Sequence, residues 1–212
     1  MKKITYTACN LVVFMVFMCV TLTVAKATGT VVAFGDSITE GNGLTPYSTF
    51  LQTKVGKQAT VINEGLRGEQ TGGGASRIGG VLANDKPNYI LIMEGANDAI
   101  WGISSSTVKY NLGVMIDKSI AAGATPIIST ITPDTNPAVT LTLSIANDYN
   151  QKIAGLAAER GVTLVDSYAA VAGSWGSLTT DGLHVNAAGA EILAYVFFNA
   201  LRKAVKEGHL PE

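Results

Sequence analysis

The sequence predicts an α/β fold: one domain in three α/β/α layers, built on a five-stranded parallel sheet. Two observations lead there. Short apolar runs rich in Val and Ile recur along the chain without polar alternation, as strands covered on both faces require. Between them lie longer stretches whose apolar residues keep helical spacing, so strand and helix alternate as in a sheet wrapped by crossover helices.

The first 27 residues stand outside this alternation. Lys2 and Lys3 precede an uncharged stretch from Ile4 to Ala25, and Ala25-Lys26-Ala27 offers a small-x-small cleavage site. Residues 1–27 therefore read as a signal peptide and 28–212 as the folded domain. Left in place, the stretch would be long enough to span a bilayer, for which about 20 residues suffice. Bulky Phe17 and Met18 argue against lipid attachment at Cys19. Both cysteines, Cys9 and Cys19, fall inside this segment, so the mature domain has neither a disulfide nor a thiolate nucleophile.

The strands are expected at Thr30 to Phe34, Ala59 to Ile62, Asn88 to Met93, Thr125 to Ile131 and Val162 to Val165. After the first, Thr45 reads as a helix cap with Pro46 in the first helical position, and Tyr47, Phe50, Leu51 and Val55 share a face. Gly72-Gly73-Gly74 reads as a flexible start to the second helix. Val108, Leu112, Met115, Ile116 and Ile120 define a third, closed by Gly123. Ile145, Tyr149, Ile153 and Leu156 define a fourth before Gly161. Asn186 is a plausible cap for the last helix, whose face carries Ile192, Leu193, Val196, Phe197, Ala200 and Leu201. Trp101 and Trp175 read as core-capping residues, with the wall of a pocket as their alternative place.

Charge narrows the function classes. Without Lys2, Lys3 and Lys26, 12 basic residues face 16 acidic ones, and no basic run is left outside the C-terminal tail. Nucleic acid and anionic membranes are poor partners for such a surface. The glycine triplet lacks a following Lys-Ser/Thr, and no Gly-x-Gly-x-x-Gly opens a helix after the first strand, so nucleotide binding is disfavoured. Two histidines are too few for a histidine-based metal site, and no Gly-x-Ser-x-Gly elbow is present.

The polar residues that remain converge on one edge. In an open parallel sheet, ligands bind beyond the carboxyl ends of the strands. Gly35-Asp36-Ser37 follows the first strand, Asn63 to Gly68 the second, and Gly95-Ala96-Asn97-Asp98 the third. Asp181 and His184 lie in the connection after the fifth. A serine hydroxyl needs a base to take its proton, and a histidine suits that task. His209 lies four residues from the C-terminus, so His184 is the candidate base, Asp181 its orienting acid and Ser37 the nucleophile. The oxyanion formed on attack needs donors: the amide of Ser37, the amide of Gly68, and the carboxamide of Asn97. Gly65 competes with Gly68 for the glycine role. Asp36 and Asp98 read as acceptors for loop backbone rather than as acids. Glu94 ends a buried strand and needs a partner, for which Arg67 is the candidate.

FGDSITEG (34–41), Gly68 in VINEGLRGEQT (61–71), EGAND (94–98) and DGLH (181–184) resemble the four blocks of the SGNH (GDSL-type) hydrolases, in order and across nearly all of the mature chain. Ile38 stands in place of the leucine of the GDSL name, and Ala96 lies between Gly95 and Asn97. The resemblance implies the flavodoxin-like SGNH hydrolase fold, a Ser37-His184-Asp181 triad, and an oxyanion hole of Ser37, Gly68 and Asn97, with no cofactor and no metal. It implies a secreted or periplasmic esterase acting on a small-molecule ester through an acyl-enzyme, without stable membrane contact once the signal is cleaved. Short loops and no lid insertion point to short acyl chains. The alternatives are a carbohydrate-ester deacetylase, a lysophospholipase or thioesterase, and, from another class, a non-catalytic envelope binding module.

Overall fold

The computed structural model describes residues 28–137 and 144–207. The expected signal segment with its two cysteines, and His209, lie outside the described residues. Five strands form one parallel sheet: β1 (Gly29–Gly35), β2 (Ala59–Gly65), β3 (Tyr89–Met93), β4 (Thr125–Ser129) and β5 (Thr163–Val165), in the order β2-β1-β3-β4-β5. Among the described residues, no helix is long and apolar enough to cross a membrane.

The expected strands are all present, with shifted ends. β2 continues through Asn63 and Glu64 to Gly65, which an edge strand tolerates because one flank is open to polar groups. β4 stops at Ser129, before the expected Ile131. There the side chain of Asn150 replaces a neighbouring strand, accepting from the Ile131 amide at 2.8 Å and donating to its carbonyl at 2.9 Å. Asn88 lies just outside β3, where its side chain accepts from the Thr30 amide.

The helices are α1 (Ser37–Glu40), α2 (Tyr47–Val55), α3 (Thr71–Asp85), α4 (Ala96–Ile100), α5 (Ser105–Ala121), α6 (Asn150–Arg160), α7 (Ser167–Ala172), α8 (Trp175–Leu178) and α9 (Ala187–Lys206). A single π turn, Ile145–Tyr149, leads into α6. Helix α2 starts one residue later than expected. Pro46 is extended (ψ 156°) and precedes the helix, with no side-chain cap bond. Ser104 caps α5 and Asn186 caps α9, each accepting a backbone N–H of the first turn. Ile120, assigned to the buried face of α5, is exposed.

Helices α2 and α9 cover one face of the sheet, and α3, α5 and α6 cover the other. The first interface centres on Tyr47 and Phe197, whose rings stack at 4.9 Å. The core between the layers is mostly aliphatic, with Val31, Val32, Ile90, Leu91, Ile92, Ile127 and Ile128 sealed from solvent beside the aromatic Phe34. Trp175 joins this core as expected. Trp101 does not: it follows the five-residue α4 on the rim, 72% exposed, because so short a helix turns it away from the layers.

Gly65 is needed for close approach. A Cβ there would lie 2.1 Å from the Glu40 amide nitrogen and 2.5 Å from its Cα, so α1 sits directly against β2. Gly65→Ala is expected to lower stability by about 1–3 kcal/mol, the usual cost of overpacking, in a urea titration. Gly68→Ala meets no atom within 4 Å. It is expected to cost only the left-handed strain at φ 75°, about 1 kcal/mol.

Candidate active site

Strands β2, β1 and β3 end level with one another: Gly35 pairs with Gly65 on one side and with Met93 on the other. The three connections that leave them therefore start side by side. From Gly35 the chain turns through Asp36 into α1, so Ser37 opens a helix at the centre of the sheet's carboxyl edge. The buried Asp36 carboxylate accepts from the Ile38 amide at 2.9 Å and caps that helix, which fixes Ser37.

Ser37 Oγ lies 2.9 Å from His184 Nε2, and His184 Nδ1 lies 2.7 Å from Asp181 Oδ2. The other Asp181 oxygen accepts from the amides of Leu183 and His184. The loop is held from several directions. Thr180 N–H and the Thr179 hydroxyl donate to the His184 carbonyl, while Thr135 N–H and the Trp175 indole donate to the Gly182 carbonyl. These three residues thus meet as the sequence predicted, although 147 positions separate Ser37 from His184.

Asn97 is the second residue of α4 and donates one carboxamide hydrogen to the Glu69 carbonyl at 2.9 Å, which leaves its second hydrogen free of partners among the described residues. Gly68 precedes Glu69 in the connection after β2 and has φ 75°. Gly65 remains within β2 and serves packing. Asp98 accepts from both the amide (2.8 Å) and the hydroxyl (2.6 Å) of Thr71, joining α4 to the start of α3. Both expected loop-holding aspartates therefore do so.

Ser37, Ile38, Gly41, Thr45, Pro46, His184 and Val185 line a small, shallow depression. Two larger hollows, one at the C-terminal end of α9 and one between that end, α6 and β5, share none of these residues. Among the described residues, no group of three His, Asp or Glu side chains is placed to hold a metal ion.

Residues 33–192 match the model of the GDSL-like Lipase/Acylhydrolase family. The chain belongs to this family. It is 28% identical over 174 residues to the esterase TesA of Pseudomonas aeruginosa, covering 78% of this chain and 84% of that one. Over half of the chain it is 24% identical to the thioesterase 1/protease 1/lysophospholipase L1 of Escherichia coli, covering 53% of that protein. The lipase/acylhydrolase of Enterococcus faecalis shares the fold with a TM-score of 0.73 and 26% identity, over 87% of this chain and 99% of that one.

The electrostatics of this GDSL-like site are set by carboxylates. Burial pushes Asp36 up to about 7, helped by the negative charges of Asp98 and Glu69 and opposed by the Ile38 amide. Burial also raises Asp181, but the His184 and Leu183 hydrogen bonds outweigh it and hold the carboxyl below its ordinary range. Burial raises Asp134, and the charge of Asp181 adds to that; the Asn136 amide and His184 oppose it.

Asp134, Thr71 and Glu69 were not singled out in the sequence. Thr132-Pro133-Asp134 follows β4 at the same edge as the other site segments, and that position was the available signal for Asp134. Arg67 does not pair with Glu94. It pairs with Glu40 at 3.0 Å on the surface, while Glu94 is buried without it.

Because the Asp181 carboxyl is held low, its charge stabilises the fold above its ordinary value of 3.8, and that contribution is lost as pH falls through the lower folded value. Asp181→Asn should therefore lower the melting temperature at pH 5–8. The gap to the parent protein should close below about pH 4, and a gap unchanged at pH 3 would contradict the assignment.

Proposed function

We propose that the protein is a serine esterase that cleaves carboxylic esters with small or short acyl groups through an acyl-enzyme. The observation that carries this reading is the unbroken hydrogen-bonded line from Ser37 Oγ through both ring nitrogens of His184 to Asp181. Membership of the GDSL-like lipase/acylhydrolase family supports it.

In this mechanism Ser37 Oγ attacks the ester carbonyl carbon as His184 Nε2 takes the hydroxyl proton. Asp181 holds the other ring N–H, fixing the tautomer and stabilising the imidazolium. The carbonyl oxygen becomes an oxyanion, stabilised by the amides of Ser37 and Gly68 and the free carboxamide hydrogen of Asn97. Collapse breaks the C–O bond to the alcohol, which leaves with the proton from His184. Water then attacks the acyl-Ser37 ester, again deprotonated by His184, and the second collapse releases the acid and restores the serine.

The shallow depression beside Ser37 supports short acyl groups, because a long chain would lie largely in water. Residues 1–27 support export as a signal peptide, which makes the working enzyme secreted or periplasmic.

The test is hydrolysis of p-nitrophenyl acetate through decanoate by residues 28–212. Rates are expected to fall with chain length. Ser37→Ala and His184→Ala should abolish turnover, and Asn97→Ala should lower kcat about 10²–10³-fold, the cost of one oxyanion donor. Rates that rise with chain length would favour the lysophospholipase or thioesterase reading, and activity confined to acetylated sugars the deacetylase. A folded protein with no ester activity and no labelling of Ser37 by an organophosphate would make it a binding module.

A further inference from the structure

Beneath the proposed oxyanion donors lies a group of acids that the mechanism does not use. Glu94, the residue after β3, is 1% exposed, and neither carboxyl oxygen accepts a hydrogen bond from an N–H or hydroxyl group. It faces Asp36 from the end of β1, Asp98 from α4, Glu69 from the connection after β2, and Arg77 from α3. Gly74 packs against it beside Phe34 and Met115: a Cβ on Gly74 would lie 3.2 Å from the Glu94 carboxyl, 3.3 Å from Phe34 Cε1 and 2.9 Å from Met115 Cε. Gly74, in the first turn of α3, thus makes room for an acid.

Arg77 is the cation of this group, and it is committed elsewhere. It donates to both oxygens of Glu69, at 2.9 Å from Nε and 2.6 Å from Nη2, and to the carboxylate and carbonyl of Glu64. Its plane lies 4.1 Å from the centre of the Phe34 ring. An ionised Glu94 would therefore be a buried anion with no donor, among other anions, which is costly. A neutral Glu94 carries one O–H, and the neighbouring acceptor is the carboxyl of Glu69: a Cβ on Gly73 would lie 3.4 Å from Glu69 Oε1, as a Cβ on the adjacent Gly74 would lie 3.2 Å from Glu94 Oε1.

Glu69 links this group to the site. Its carbonyl receives Asn97, its amide closes a turn onto Leu66, and it follows Gly68 directly. We propose that Glu94 is a positioning residue of the oxyanion hole: held neutral, it donates a hydrogen bond to Glu69, which, clamped between Glu94 and Arg77, fixes both Gly68 and Asn97. The role of those two donors rests on the esterase reading; the neutral Glu94 does not.

Two variants test the proposal, Glu94→Gln and Glu94→Leu, each in residues 28–212. Gln is a neutral shape match whose N–H reaches Glu69 as the carboxyl O–H does. Burial raises the Glu94 carboxyl well above its ordinary value near 4.5, and the charges of Asp36 and Glu69 add to it. A group raised in this way gives its full stability below 4.5 and loses it as pH climbs toward the folded value. Glu94→Gln should accordingly melt at or above the parent temperature at pH 8, with its relative advantage shrinking as pH falls to 4. A Gln variant that melts lower at pH 8 and recovers in acid would show an ionised, paired Glu94 and overturn the proposal.

Kinetics with p-nitrophenyl acetate test the positioning. Displaced oxyanion donors should lower kcat about tenfold or more in Glu94→Leu, with KM within about twofold, and Gln should restore most of the loss. A folded Leu variant with parental kcat would overturn positioning, as would a stable Gln variant with the kcat loss expected of Leu. If Leu does not fold, the Gln kinetics and melting profile still decide. A parent protein without ester activity would sink the esterase reading and, with it, the positioning role, while the melting profiles would still report the charge of Glu94.

Discussion

The level ending of β2, β1 and β3 is the constraint on which the site depends. Parallel strands in fixed register must leave the sheet at matched heights, so the three loops that follow compete for the same space above the edge. The chain resolves this with glycine at both Gly35 and Gly65, where a Cβ would run into the Met93 carbonyl and the α1 backbone respectively. Helix α1 can then lie close over the sheet, and Ser37 comes within one layer of the loops bearing Gly68 and Asn97. A single-residue slip in either register would break this arrangement and turn every side chain of the slipped strand to the opposite face.

Crowding of loops brings a crowding of charge. Asp36, Glu69, Glu94 and Asp98 are all buried at this edge, and Arg77 supplies the nearby cation. The acids are separated by what each accepts. Asp98 takes two donors from Thr71, Asp36 takes the Ile38 amide, and Glu69 takes Arg77. Each of these three is met by donors, whereas Glu94 is met by none among the described residues. The same carboxylates that would repel one another as bare ions become ties between α1, α3, α4 and the connection after β2. Their arrangement ties together the segments that surround Ser37.

What the sequence made legible follows from redundancy and scarcity. Each strand carries several consecutive Val, Ile or Leu residues, so its place was readable even where its ends were not. The short helices α1, α4, α7 and α8 escaped notice because four to six residues contain too little of a 3.6-residue period to register. The meeting of Ser37, His184 and Asp181 was legible for the opposite reason: with His184 the one histidine in the body of the domain, few pairings remained. Arg67 and Arg77 were equally eligible partners for a buried acid by composition. Only the fold decides between them, since α3 carries Arg77 under the edge and the connection leaves Arg67 on the surface. Trp101 illustrates the same limit, because an aromatic residue looks identical in sequence whether it closes a core or stands on a rim.

The position of Asp181 raises a question of magnitude. Asp181 is 42% exposed at its side chain, so water screens its charge and its Coulombic pull on His184 is modest. Its contribution must then lie in geometry. One oxygen receives two backbone amides and the other the ring N–H, so the carboxylate cannot rotate without breaking several bonds at once. The bonds to the His184 and Gly182 carbonyls anchor the loop itself against α8 and against the segment after β4. Orientation of the imidazole is thereby built into backbone hydrogen bonds that exist before any substrate arrives. An exposed acid in so rigid a turn can hold the tautomer as well as a buried one, without the desolvation that burial would impose.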